Sequence, residues 1–338
     1  MYCLSGMPIL QGSPTDSNRQ IRRRGRHTYD LIGTGIGDWM SARNWGLLLL
    51  LAMLWGSSFF FYKILVAALP PVTVVLGRLG LAAIAMHLWL LAQGQSMPVT
   101  AAHWRRFMLL GLLNCSLPFA LIAWAELHIS SGLASILNAT TPIFMVAVAH
   151  WGTDDEKLSA GKAIGIALGI LGVIVLVGPG ALSGGGAVWA ELAVIAASCS
   201  YGFGGVYSRR FKDMTPVQAA TGQMTGATVL LIPLSLLIDR PWTLAMPQPD
   251  VWASWLAIAL VNTALAYVLY YRMVANVGAT YMSLVTLLIP PIALLLGAAF
   301  LGESVTLQAL AGMTIIILGL AATNERFFRR PSILHQSK

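Results

Sequence analysis

The sequence predicts an all-α integral membrane protein, in which ten transmembrane helices form an inverted repeat of two five-helix halves. This prediction rests on the composition, on the lengths of the apolar runs and on an internal repeat. Of the 338 residues, 57% are hydrophobic and only 10% are charged, and the mean hydropathy is +0.73. Soluble domains carry roughly a quarter charged residues. The composition therefore excludes a soluble globular protein.

The apolar residues form runs that are long enough to cross a bilayer core of about 30 Å. Backbone polar groups in lipid must be satisfied within their own segment, so these runs should be helices. Prolines, acidic residues and the glycine-rich connector GPGALSGGG at 178–186 separate neighbouring runs. The predicted spans are residues 45–67, 71–92, 104–125, 129–150, 160–178, 187–208, 216–238, 251–272, 279–301 and 304–323.

Unusual residues recur at a nearly constant interval of 145 to 148 residues. The pairs are Trp55-Gly56 with Tyr201-Gly202, Pro71 with Pro216, Asn114 with Asn262, Phe119 with Tyr267, Ser135 with Ser283, Pro142 with Pro290 and Glu156 with Glu303. Each half holds five spans, an odd number, so the halves should enter the membrane from opposite faces. Many secondary transporters have this architecture, with a binding site near the midplane where the halves meet.

The repeat divides the chain into four parts. Residues 1–44 are rich in Gly, Ser, Pro and Arg and lack apolar periodicity, which predicts a disordered basic amino-terminal segment. The motif MSARN directly before the first span favours the hypothesis that translation starts at Met40. The two repeats occupy residues 45–178 and 187–323, and residues 324–338 form a basic tail.

Lysine and arginine are distributed unequally between the loops. With a cytoplasmic amino terminus, 18 of the 21 basic residues fall on the cytoplasmic side, and Lys63, Arg78 and Arg240 are the exceptions. Cytoplasmic loops of membrane proteins carry such an excess. We therefore expect both termini in the cytoplasm. The asymmetry explains the net charge of +8 without a nucleic-acid partner.

Four stretches of the two repeats stand out: LLLAMLWGSSFFFYK, Pro71 followed by Arg78, SSGLASIL leading to Thr141-Pro142, and LGESVTLQALAGMTIIILGL. Together they resemble the EamA family of the drug/metabolite transporter superfamily. The first-half acidic motif departs from the usual Gly-Glu, because Asp155 precedes Glu156. The resemblance covers nearly all of residues 45–323 and implies export or exchange of small metabolites across the bacterial inner membrane. It does not identify the cargo.

Trp55 and Ser57 lie roughly 15–18 Å into the first span, too deep for the interfacial aromatic belt. Trp55 and its repeat counterpart Tyr201 are candidates for an aromatic wall of a substrate cavity, and simple packing against Gly56 is the alternative. Tyr267 lies one turn beyond Asn262 on a similar face of its helix. Tyr270 and Tyr271 are better explained as belt residues.

Three amides lie deep in their spans, at Asn114, Asn262 and Asn138. An amide in lipid is costly without a partner, so these side chains should face protein or water. They either bond helices to each other, worth about 0.6 kcal/mol each, or line the cavity.

Arg78 carries a positive charge deep inside the second span, and burying such a charge in a membrane costs at least about 2.5–3.5 kcal/mol. It either holds an anionic group of the substrate or clamps the carbonyls at a helix end. Lys63 and Glu126, at the non-cytoplasmic ends of the first and third spans, are candidate partners in a gate on that face. Pro142 and Pro290 interrupt their helices and are candidate hinges.

The candidate substrate-binding residues are thus Trp55, Ser57, Arg78, Asn114, Asn138, Tyr201, Asn262 and Tyr267, and the candidate gate or hinge residues are Lys63, Glu126, Pro142 and Pro290. Catalytic patterns are missing: the sequence has no paired carboxylates within the spans, no His-Cys grouping and no glycine-rich phosphate loop. Cys3, Cys115 and Cys199 lack the spacing of a disulfide or metal site. We therefore expect no cofactor, no metal and no enzyme activity.

The sequence predicts a secondary transporter of amino-acid-like or amphipathic metabolites that works by alternating access. Its partners would be a small-molecule substrate and the lipid bilayer. The sequence does not decide between a monomer and a homodimer. The alternative is a membrane-embedded enzyme, or a scaffold that does not transport, acting on lipid-linked substrates.

Overall fold

The structure is a computed structural model that describes residues 42–98, 100–152, 159–178, 186–277 and 284–323. The chain separates into two compact units, residues 1–45 and 46–338. Of the first unit only residues 42–45 are described, and they are helical. The rest of the predicted amino-terminal segment, Met40, Glu156, Ser283 and the tail 324–338 lie outside the described residues.

Helices account for the regular structure of the described residues, and these residues contain no strand. The helices are α1 (Ala42–Ala68), α2 (Pro71–Ala92), α3 (Ala101–Ala125), α4 (Ser131–Asn138 and Thr141–Gly152), α5 (Ala160–Val177), α6 (Gly186–Ser208), α7 (Pro216–Ile238), α8 (Pro249–Leu256, Ala257–Leu265 and Ala266–Val277, continuous), α9 (Leu284–Phe300) and α10 (Leu307–Thr323). A short 3₁₀ turn, Pro241–Thr243, precedes α8. The all-α fold class is confirmed for this part of the chain.

Helices α1 to α8 are long and apolar enough to cross a membrane. Helices α9 and α10 are also apolar, but each has 17 residues. An apolar helix needs about 20 residues to span the hydrocarbon core, with a range of about 17 to 25. The described chain therefore holds eight candidate spans and two shorter apolar helices.

Local sequence explains where the helices begin. Pro71 and Pro216 lie at the first position of α2 and α7, where a missing N–H costs nothing. Thr215 forms a capping box with Gln218 at the start of α7. Thr100, Ser130 and Ser159 cap α3, α4 and α5 by accepting a bond from a backbone N–H three residues on.

Two carboxylates from the second half of the chain bind the first turns of helices in the first half. An Asp239 oxygen accepts bonds from the backbone N and the hydroxyl of Thr73 in α2, at 2.6 and 2.8 Å. Glu303 accepts from the backbone N and the hydroxyl of Ser131 in α4, both at 2.8 Å. Helix amino termini attract anions, so these contacts tie the halves together at two helix ends.

Glycines allow close approach of helix backbones. A Cβ at Gly172 of α5 would lie 2.6 Å from Ile316 Cγ1 and 3.0 Å from the Gly312 oxygen in α10. A Cβ at Gly226 of α7 would lie 2.7 Å from the Phe107 oxygen in α3. Small residues at such contacts are typical of membrane helices, which pack by van der Waals contact. These glycines thus allow α5 to pack closely on α10, and α7 on α3.

The helices that carry the two equivalent asparagines are irregular. Leu112–Ser116 in α3 and Ala257–Leu265 in α8 are π-helical, and they contain Asn114 and Asn262. The prolines behave differently from each other. Helix α4 breaks after Asn138, just before Pro142, whereas α9 continues through Pro290 and Pro291. The expectation that Pro290 interrupts its helix is therefore not met, because the helix can extend past a proline when neighbours satisfy the freed backbone groups.

Candidate functional site

Aromatic side chains from both halves of the chain gather around α1. Trp55 contacts Tyr267 and Tyr270 of α8, with ring centroids 6.2 and 5.4 Å apart. Farther along α1, Tyr62 contacts Phe119 of α3 at 6.4 Å. Phe119 in turn contacts Tyr201 of α6 at 6.4 Å. We call Trp55, Tyr62, Phe119, Tyr201, Tyr267 and Tyr270 the aromatic cluster.

Arg78 of α2 lies against this cluster and is 4% exposed. Its guanidinium carbon is 4.1 Å from the ring centre of Phe119 and 4.9 Å from that of Tyr62. Its Nε donates to the hydroxyl of Thr263 in α8 at 2.9 Å. Among the described residues no carboxylate lies within ion-pair distance of it. Cation–π contacts, worth about 2 kcal/mol when desolvated, offset part of the burial cost.

Asn262 connects α8 to α1. Its Nδ2 donates to Ser57 Oγ at 2.9 Å and lies 3.4 Å from Ser58 Oγ. The side chain is 2% exposed. Because the amide is enclosed and bonded, Asn262 holds α8 and α1 together.

Asn114 connects α3 to α7 more loosely. Its Nδ2 donates to Gln223 Oε1 at 3.4 Å, and the residue is only partly buried. A Cβ at Gly204 would overlap Asn114 Oδ1, so the glycine makes room for this amide beside α6. The two asparagines are equivalent in the repeat, yet they bond to helices that are not equivalent.

Asn138 lies at the break in α4. Its Oδ1 is buried and has no hydrogen-bond partner in the described part of the chain. Its backbone oxygen accepts a bond from Thr141 Oγ1 at 2.8 Å. Pro142 lies four residues on, so the break combines an amide oxygen without a partner and a residue that lacks an N–H donor.

Lys63 and Glu126 are neighbours, but their contact is not a salt bridge. Lys63 Nζ donates to the backbone oxygens of Glu126 and Ile129, at 2.5 and 2.9 Å. The ammonium thus binds the carboxyl end of α3, where the helix dipole is negative. The Glu126 carboxyl group is 0% exposed, and neither oxygen has a partner among the described residues.

The sequence did not single out Tyr62, Gln223 or Thr263. Tyr62 could have been found, because it lies seven residues after Trp55 and so on the same face of α1. Gln223 lies 145 residues after Arg78, at the interval of the repeat, but its amide carries no separate signal. Thr263 gave no signal, since its contact with Arg78 depends on how α2 meets α8.

The described residues contain no group of three His, Cys, Asp or Glu side chains that could hold a metal ion. This region instead presents aromatic faces, one buried guanidinium, amides and hydroxyls.

The sequence profile of the EamA-like transporter family matches residues 44–178 and 188–324. The chain is 28% identical over 282 residues to an uncharacterized inner membrane transporter of Escherichia coli, YedA, covering 81% of this chain and 88% of that protein. It is 24% identical over 280 residues to an uncharacterized transporter of Bacillus subtilis, YoaV, covering 82% and 95%.

A third relative carries a more specific name. The chain is 29% identical over 228 residues to a probable terminal-alkyne amino-acid exporter of Streptantibioticus cattleyicolor, covering 66% of this chain and 73% of that protein. One crystal structure of a protein matches with a TM-score of 0.61 at 18% identity, over 84% of this chain and 98% of that one. At this identity, that match shows a shared fold.

Proposed function

Since this chain belongs to the EamA-like transporter family, we propose that it moves small amphipathic, amino-acid-like compounds across the bacterial inner membrane as an exporter or exchanger. It works by alternating access to a cavity between the two halves. Its cargo is bound by Trp55, Ser57, Arg78, Asn114, Asn138, Tyr201, Asn262 and Tyr267, and Lys63, Glu126, Pro142 and Pro290 serve as gate or hinge.

One observation carries the proposal: a buried arginine that lies among aromatic rings and has no carboxylate partner in the described chain. Hydrogen bonds to a charged group contribute about 1.5–3 kcal/mol. A cargo carboxylate would supply the missing countercharge to Arg78. The rings of Trp55, Tyr201 and Tyr267 would contact the apolar part of the same molecule.

The relative named as a probable terminal-alkyne amino-acid exporter supports this cargo class. An amino acid with an unsaturated side chain combines a carboxylate with an apolar, polarisable group. This combination is what a guanidinium beside aromatic faces would recognise.

Helix contacts support a ten-span inverted repeat with halves 45–178 and 187–323. Contacts between α2 and α7, between α4 and α9, and between α5 and α10 each join equivalent helices. The contact of α3 with α7 has its counterpart in that of α8 with α2. A two-fold axis in the membrane plane would produce this correspondence. In this arrangement both termini are cytoplasmic.

Flux measurements in proteoliposomes test the function. The panel consists of amino acids with apolar side chains and the matching amines that lack the carboxylate. We expect Arg78→Gln to reduce flux of the amino acids roughly tenfold to a hundredfold, equivalent to about 1.5–3 kcal/mol, and to spare the amines. The exposed Arg105 provides the matched control, and Arg105→Gln should transport normally.

Two outcomes would contradict the proposal. Equal losses for amino acids and amines would show that Arg78 has only a structural role. If no compound crosses the membrane and the protein instead converts lipid-linked substrates, the enzyme alternative is correct.

A further inference from the structure

We propose that Glu126 binds a proton that is coupled to transport, and that its release moves Lys63 from the end of α3 onto the carboxylate. This inference rests on the proposed transport function, and it adds the coupling ion and the residue that carries it.

The surroundings of Glu126 fit a proton better than any larger ligand. The side chain is fully enclosed, and both carboxyl oxygens lack a hydrogen-bond donor in the described structure. An ionised carboxylate in such a place is costly, and a buried group of this kind becomes neutral instead. A substrate cation has no room beside a side chain that is 0% exposed. Protonation turns the carboxylate into a neutral acid without requiring space.

Among the described residues, the charged groups that act on Glu126 are Lys63 of α1, Arg78 of α2 and Glu303, which follows α9; the two cations favour the ionised form, and Glu303 favours the protonated form. The buried hydroxyl of Tyr62 in α1 is a neighbouring titratable group, and it is neutral in its usual form. Burial outweighs the two cations and raises the pKa of Glu126, one residue beyond α3, well above its usual range. If water reached Glu126, the cost of burying its charge would fall and the two cations would favour the ionised carboxylate.

Lys63 gives the protonation state a structural consequence. An ammonium has three N–H donors, and two of them bind the oxygens of Glu126 and Ile129. When Glu126 loses its proton, the new negative charge attracts this ammonium. A turn of the lysine side chain then weakens its hold on the carbonyls between α3 and α4. Proton binding thereby biases the connection between two helices that flank the proposed cavity.

Infrared spectroscopy tests the proton site without any cargo. A protonated carboxyl group has a C=O stretching band that is separate from the bands of a carboxylate. In protein purified into lipid at neutral pH, we expect such a band, shifted by D₂O and lost in Glu126→Gln. Glu191→Gln is the matched control, since Glu191 of α6 is also a buried carboxyl, at 7% exposure. A carboxyl band that is unchanged in Glu126→Gln would refute the proton site.

Transport measurements test the coupling. Flux of the compounds identified in the proteoliposome panel should change with an imposed proton gradient in the wild type and in Glu191→Gln. Glu126→Gln, which resembles the neutral acid, should transport at a rate that ignores the gradient. Gradient-dependent flux in Glu126→Gln, or gradient-independent flux in the wild type, would refute the coupling and leave the transport function standing. Absence of flux in every protein would instead refute the transport function, and the infrared result would still decide whether Glu126 holds a proton.

Discussion

Asn114 and Asn262 show how equivalent residues come to differ. Both lie in π-helical segments, yet Asn262 is enclosed and bonded to two serines, whereas Asn114 is part-exposed with one long bond. The sequence gives the register that relates them. It does not give their partners, because those depend on the spacing of helices that are distant in the chain.

This difference predicts unequal effects of two matched substitutions. Asn262→Ala should lower the free energy of unfolding by about 1–2 kcal/mol, because its amide is enclosed and its bond to Ser57 Oγ, at 2.9 Å, has an ordinary length. Asn114→Ala should lower it by about 0.6 kcal/mol or less. Both variants should reach the membrane folded and transport more slowly. Thermal unfolding in detergent measures the change in stability, and proteoliposome flux measures the change in transport rate. Normal transport by both variants would show that neither asparagine binds the cargo.

Arg78 illustrates what sequence reasoning can reach at a single residue. Its burial follows from its position inside an apolar span, and a partner of some kind follows from the cost of that burial. The rings of Phe119 and Tyr62 as partners require α1, α2 and α3 to meet at one place. The composition of one helix and the spacing of its residues do not show how these three helices pack together.

At the scale of elements, the apolar runs and their flanking prolines predict the helices and most of their ends. The π-helical segments and the unbroken α9 were not predicted. A π segment inserts an extra residue into the helical turn, and the gain comes from tertiary contacts of the side chains it reorients. A proline within a membrane helix is tolerated when neighbouring groups satisfy the freed carbonyl. Neither effect has a signal within the helix itself.

Close contact between α3 and α7 predicts a strong effect of one methyl group. A Cβ at Gly111 would overlap the backbone at Gln223 and Ala227, and backbone atoms cannot yield as a flexible side chain can. We expect Gly111→Ala to destabilise the protein by about 1–3 kcal/mol. Gly80→Ala is the matched control, because its Cβ would meet only Thr228 Cγ2, at an ordinary 3.6 Å. Thermal unfolding compares the two, and equal stability would mean that α3 and α7 are less closely packed than the structure has them.

For the whole molecule, the distribution of charge predicts the orientation of the chain in the membrane. The number of spans then depends on whether α9 and α10 cross. As far as the structure describes them, both are at the short end of the range for a span. If both cross the membrane, Ser304 between them faces away from the cytoplasm. If neither crosses, Ser304 lies on the same side as the end of α8.

A single-cysteine experiment separates these topologies. In a variant whose three native cysteines are replaced, we expect Ser304→Cys to react with a membrane-impermeant maleimide added to intact cells, since Ser304 is exposed. The exposed Lys212, between α6 and α7, supplies the matched control, and Lys212→Cys should react only after the membrane is opened. This pattern follows from ten spans with a cytoplasmic amino terminus, because basic residues stay on the cytoplasmic side. Labelling of Lys212→Cys in intact cells would mean that the chain has the opposite orientation. If Ser304→Cys alone is protected, α9 and α10 do not cross the membrane.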